Sequence, residues 1–139
     1  MNREDQIIGI TEMFRQMSKK WMLDWNKNKP NGLSPTHAAI LKILDTRGPQ
    51  KPTSLAAELF VTTGGVTGLT DKLVEAGYVK RGRDEADRRI VFLEITDAGR
   101  ELLKEVVKLK RERDRRLFSA LTDEEIDTLY GLYRKLTND

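Results

Sequence analysis

Five cationic side chains, Lys80, Arg81, Arg83, Arg88 and Arg89, fall within ten residues, interrupted by Asp84, Glu85 and Asp87. The chemistry they offer is recognition of a polyanion. Guanidinium groups make paired hydrogen bonds to phosphate oxygens, and narrow minor grooves attract arginine. Spacing matters more here than number. Asp87 stands two residues before Arg89 and can brace its guanidinium; without such pairing, a charge run is an ordinary solvated tip. Upstream lies Thr62-Thr63-Gly64-Gly65-Val66-Thr67-Gly68-Leu69-Thr70-Asp71-Lys72-Leu73. Each glycine costs up to ~1 kcal/mol relative to alanine inside a helix. Gly64, Gly65 and Gly68 therefore point either to close approach of the helix backbone to another surface or to crowding against a neighbouring helix. A phosphate loop is rejected, because the stretch lacks the Gly-Lys-Ser/Thr ending that holds a nucleotide.

Other chemistries are poorly supplied. The chain has no cysteine, which removes disulfides, thiolate metal sites and thiol redox sensing together. His37 is its single histidine. It reads as a packed or exposed side chain, with contact to a ligand as the alternative, and it has no soft partner for a metal. No nucleophile–base motif or metal cluster appears, so neither an enzyme nor a cofactor is expected.

The elements that position these residues follow from periodicity. Residues 62 to 75 have helical spacing, with Val66, Leu69 and Leu73 on one stripe and Gly64, Thr67, Gly68 and Asp71 opposite. Gly77 stops the helix. Tyr78 to Arg83 and Ile90 to Thr96 read as two strands joined by a charged loop. Before them, Lys51-Pro52-Thr53-Ser54 opens a short helix ending at Leu59, and Phe60-Val61-Thr62 is a tight turn into the glycine-rich helix. Two helices so joined make a helix-turn-helix, weak as a signal by itself; the hairpin after it gives the outline of a winged helix.

Four further helices flank this unit. Residues 4 to 28 carry Ile7, Ile10, Phe14, Met17 and Trp21 at steps of three and four, with Met13 and Trp25 flanking, before the turn Asn28-Lys29-Pro30-Asn31-Gly32. That stripe must be covered, by the chain's own core on periodicity alone or by a second subunit. Ser34-Pro35 starts a largely apolar helix to about Arg47, stopped by Gly48-Pro49. Thr96-Asp97 caps a long helix from about Ala98 to Ala120, and Thr122 with Glu125 forms a capping box for the last one. The fold class is mainly α with a small β-hairpin (α+β).

In bulk, 139 residues suit one domain with a real core. The net charge of +3 permits nucleic-acid binding without requiring it. No apolar run approaches the ~18 residues of a membrane span, and nothing at the start resembles a signal peptide. A soluble, cytoplasmic protein without membrane association is expected.

With these residues in place the chain resembles the MarR family of bacterial transcription regulators over essentially its whole length. The resemblance is carried by Val66, Thr67, Leu69, Asp71, Leu73, Gly77, Val79 and Arg81, then Asp87-Arg88-Arg89, then Leu93, Ile95, Thr96 and Gly99. It is the combination that is specific, not the separate pieces. The resemblance implies a single domain over 1–139, with a winged helix-turn-helix core at about 34–99 and dimerisation helices at about 1–30 and 100–139. It further implies a homodimer reading a palindromic operator, Asp87 and Arg89 as the acid–arginine pair of the wing, and a small-molecule pocket between dimerisation and DNA-binding regions. One departure is Gly68, where many members carry arginine after the Val-Thr pair; the recognition helix lacks an obvious bidentate base reader.

The expected function is a sequence-specific DNA-binding transcription regulator, a ligand-responsive repressor, acting as a homodimer. Thr63, Thr67 and Asp71 line the face expected in the major groove, and Thr62 presents helix amides to a phosphate. Gly64, Gly65 and Gly68 allow close approach, and Lys72 is counted with the DNA-facing residues. Arg89 is expected in the minor groove, with Lys80, Arg81, Arg83 and Arg88 on phosphates and Asp87 as the brace. A hydrophobic or aromatic anionic effector is expected near Trp21, Trp25 and His37. The alternative is a protein-interaction adaptor that uses the winged helix without specific DNA binding; a mobility shift with random duplex at low salt separates the two.

Overall fold

The computed structural model describes residues 1–138. Most of the helices start where a side chain satisfies one of their first amides. Asn2 accepts the Asp5 N–H at the start of α1 (Arg3–Lys27). Ser34 caps α2 (Pro35–Arg47), whose first turn holds proline at a position needing no N–H. α3 (Pro52–Leu59) ends at Phe60, held in the left-handed region at φ 55°, and Thr62 then caps α4 (Thr63–Glu75). Gly77, at φ 84°, turns the chain out of α4 into β1 (Val79–Arg83), which pairs antiparallel with β2 (Val91–Ile95). α5 (Asp97–Leu117) and α6 (Asp123–Thr137) complete the order. The result is mainly α with one two-stranded hairpin, as expected, and α5 ends three residues short of the Ala120 boundary read from the sequence.

Contacts divide the chain into two compact units, Met1–Val107 and Lys108 onward. The core of the first is a single cluster. Leu33, Ile40, Leu41 and Leu44 meet Leu55, Val66, Leu73, Val79, Leu93 and Ile95, with Leu102 and Val106 packed in from α5. Burial of a leucine or valine of this kind contributes roughly 1.5–3 kcal/mol. Strand β2 is also stitched to the segment after α2: Gln50 and Leu93 exchange backbone hydrogen bonds of 3.0 and 2.8 Å. The hairpin base is set by Gly99, where an added Cβ would strike the Tyr78 carbonyl and Ile95. Thr96 ties the same corner, donating to the Gly77 carbonyl at 2.6 Å while accepting the Gly99 N–H at 3.1 Å.

The apolar stripe of α1 is not fully covered by the chain's own core, the cover that periodicity alone favours over a second subunit. Trp25 is buried, Met17 and Trp21 are half-buried, but Ile7, Ile10, Met13 and Phe14 are more than half exposed. Periodicity reports that a face is apolar, not what covers it. In the second unit, α6 opens with the expected Thr122–Glu125 capping box and leaves Tyr130, Leu132, Tyr133 and Leu136 exposed.

Candidate nucleic-acid interface

α4 is amphipathic as read. Val66 and Leu73 are fully buried, Leu69 is half-buried, and Thr63, Gly64, Gly65, Thr67, Gly68 and Asp71 are exposed. Thr70, not singled out in the sequence, is buried with its hydroxyl on the Val66 carbonyl at 2.9 Å. The Thr62 hydroxyl accepts the Gly65 N–H at 3.0 Å, and the capped first turn of the helix is exposed. Crowding within the chain explains Gly65, where a Cβ would lie 3.2 Å from the Thr62 hydroxyl, but not the other two. A Cβ at Gly68 would meet nothing within 4 Å, and one at Gly64 only the Thr62 hydroxyl, at 4.0 Å.

The wing begins where β1 leaves the core. Val79 is buried and Lys80, Arg81 and Arg83 are exposed. Arg81 pairs with Asp71, joining wing to recognition helix. Lys80 lies 3.8 Å from Glu94 across the hairpin. Arg83 donates to the Arg88 carbonyl at 2.8 Å and so closes the loop on itself. At the tip, Arg89 Nε reaches Asp87 Oδ1 and its terminal nitrogen reaches Oδ2, both at 3.0 Å, while the Arg89 N–H adds a third bond to Oδ1 at 3.1 Å. These bonds, the side-chain one foremost, hold the Asp87 carboxyl below its usual range, and Arg89 keeps its proton correspondingly more tightly. The brace read from the two-residue spacing is formed.

Three expected DNA-facing or ligand-facing groups are occupied elsewhere. Lys72 donates to the Gly32 carbonyl at 2.9 Å. Trp25, with its N–H on the Leu33 carbonyl at 2.8 Å, is a core residue. His37 is buried and completes a capping box with Ser34: its Nδ1 accepts the Ser34 N–H at 3.0 Å and lies 2.7 Å from the Ser34 hydroxyl. Accepting at Nδ1 requires that nitrogen to be unprotonated. Burial, then the charges of Lys72 and Lys29, hold the imidazole below its ordinary value. Trp25 and His37 are thus buried and hydrogen-bonded where α1 passes into α2, and Trp21 is half-buried one turn earlier on α1. Sequence reading missed the Asp71–Arg81 pair and the Asn31–Tyr78 bond of 2.7 Å. The partners are ten and 47 residues apart, with no local pattern linking them.

Among the described residues no group of acidic or histidine side chains is placed to hold a metal ion. None of the described helices is long and apolar enough to cross a membrane.

An N-terminally capped helix with an open, glycine-bearing face, set beside a hairpin with a cationic tip, defines a winged helix-turn-helix protein of the transcription-regulator class. The MarR family profile matches residues 33–91. The helix-turn-helix-type transcriptional regulator YkoM of Bacillus subtilis is 36% identical over 122 residues, covering 88% of this chain and 77% of that protein. The transcriptional repressor MprA of Escherichia coli is 30% identical over 134 residues, 94% of this chain and 76% of that protein. Among solved structures, the transcriptional regulator BldR of Sulfolobus solfataricus superposes with a TM-score of 0.76 at 31% identity, over 99% of both chains. The chain belongs to the MarR family. It shares that family's role in transcription regulation and is not an enzyme.

Proposed function

We propose that this regulator binds a palindromic DNA operator as a homodimer and represses transcription from it. The observation that carries the reading is the continuity of one exposed surface: the outward face of α4, the Asp71–Arg81 pair, and the wing tip with its braced Arg89. In this reading Thr63, Thr67 and Asp71 enter the major groove. Gly64, Gly65 and Gly68 let the helix backbone approach the DNA, and the outward amides after Thr62 meet a phosphate. Lys80, Arg81, Arg83 and Arg88 position on the sugar-phosphate backbone, and Arg89 enters the minor groove.

The dimer reading rests on apolar surface. α1 leaves Ile7, Ile8, Ile10, Met13 and Phe14 exposed, and α6 leaves Tyr130, Leu132 and Leu136 exposed, more than a monomer ordinarily shows to water. Residues of about 34–99 then form the DNA-binding core and the flanking helices the interface. A two-fold dimer reads two half-sites in inverted repeat.

Control by a ligand is part of the same proposal. The expected effector is a small aromatic or hydrophobic anion near Trp21, Trp25 and His37, a reading supported by the positive charges of Lys72 and Lys29 that act on His37. By linkage such a ligand weakens operator binding as much as the operator weakens its own. A role on chromosomal DNA places the protein in the cytoplasm. The test is to enrich fragments of its own genome on the protein and sequence them. An inverted repeat in the enriched fragments upholds the reading; enrichment without any shared motif favours the adaptor.

A further inference from the structure

Four elements meet on the few residues between α1 and α2. Trp25 of α1 donates to the Leu33 carbonyl at 2.8 Å, and Ser34 with His37 caps α2. From α4, Lys72 donates to the Gly32 carbonyl at 2.9 Å. At the start of the wing, the Tyr78 hydroxyl accepts from the Asn31 amide at 2.7 Å. Asn31, the donor of one bond, and Gly32, the acceptor of the other, both hold left-handed backbone, at φ 51° and φ 72°. That geometry turns the Asn31 side chain and the Gly32 carbonyl toward their partners, and asparagine and glycine are the residue types that adopt it most readily.

We propose that the Pro30–Gly32 turn is a double latch, in which Lys72 and the Asn31–Tyr78 pair are positioning residues that fix the recognition helix and the wing base to α1. This rests on the DNA-binding reading but changes one assignment within it. Lys72 works through the Gly32 carbonyl and makes no phosphate contact. Because α1 carries the uncovered apolar face, the latch ties the partner-facing helix to the DNA-facing one. The separation of two half-site readers then depends on it. The nearby charges are Lys29 and Lys72, and His37 reports on them because its basicity responds to both.

The chain's single histidine gives one ring to follow by NMR, so the test uses Lys72→Met, Lys72→Arg and Tyr78→Phe in the full chain. With the latch, Lys72→Met raises the midpoint of the His37 titration, because one positive neighbour is gone. It lowers affinity for a selected operator about two- to tenfold, the weight of one exposed hydrogen bond, and leaves the salt slope unchanged. Tyr78→Phe gives a similar loss with the same slope, and Lys72→Arg restores binding. A salt slope reduced by about one, with the His37 titration unmoved, makes Lys72 a phosphate contact and overturns the latch. Wild-type affinity in both Lys72→Met and Tyr78→Phe overturns it as well. If the wild-type protein prefers no duplex at all, the DNA reading fails on its own. Hydrogen exchange at the amides of residues 31 to 34 in free protein then decides the latch: faster exchange in both variants upholds it, and unchanged exchange rejects it.

Discussion

Arg89 and Asp87 form a two-pronged pair at the tip of the wing, both contacts at 3.0 Å, while the arginine side chain stays 91% exposed. The guanidinium is fixed without being hidden. An exposed pair of this kind adds little to folding. What it supplies is an exposed cation held in one geometry, the form the proposed groove contact requires.

The first prediction turns on sign. Arg89→Ala should weaken operator binding roughly tenfold and reduce the salt slope by about one. Asp87→Ala removes a negative charge, so Coulomb reasoning alone expects tighter binding to a polyanion. The brace requires weaker binding, because Arg89 must then be ordered at the cost of its side-chain entropy. Once Arg89 is gone, Asp87→Ala should do little further harm. Tighter binding of Asp87→Ala in the wild-type background removes the brace from the account.

Gly68 separates folding from binding. An added methyl meets nothing in the chain, so Gly68→Ala should stabilise the fold by about 0.5–1 kcal/mol through helix propensity. If the helix backbone approaches DNA closely there, the same methyl weakens operator affinity. Thermal unfolding and an operator titration read the two effects separately. A variant that is more stable and binds as well as wild type excludes close approach at this position.

Gly99 should behave in the opposite way. A Cβ there collides with the Tyr78 carbonyl, which is backbone already bonded to the Thr96 N–H at 3.1 Å. Gly99→Ala should cost about 1–3 kcal/mol or more by overpacking, despite alanine's better helix propensity. Denaturant unfolding with an unchanged midpoint would show that the corner yields freely.

His37 sets a pH dependence. Its basicity is depressed in the folded protein by burial and by Lys72 and Lys29. The unfolded chain therefore takes up the proton first as pH falls. This contribution is fully present above the ordinary imidazole value of about 6.5 and declines progressively below it, until the folded form also protonates. His37→Gln keeps a capping-box side chain at the same position without a titrating group. The stability difference between wild type and His37→Gln should shift in favour of glutamine on going from pH 8 to pH 5.5. Parallel stability curves would mean that the imidazole does not carry the effect.

The local features of this fold were legible because their causes are local. Ser34, Thr62 and Thr122 announce helix starts, Gly77 a stop, and the Asp87–Arg89 spacing a contact two residues long. The winged helix follows from their order. What the sequence left open depends on partners distant along the chain or on surfaces beyond it. Asp71 and Lys72 read as two members of one DNA-facing set, yet one is paired with Arg81 and the other bonded to Gly32. The exposed half of α1 was readable as apolar, and its covering was not, since periodicity is the same for a core and for an interface.

The proposed function stands on sequence-specific recognition of duplex DNA through α4 and the wing. Its most direct measurement is an equilibrium titration of a selected operator against a scrambled duplex of equal length and composition, across several salt concentrations. A preference of at least about a thousandfold at physiological salt and a steep salt dependence for both duplexes are expected. Equal affinity for the two duplexes, or no binding to either at low salt, would contradict such recognition.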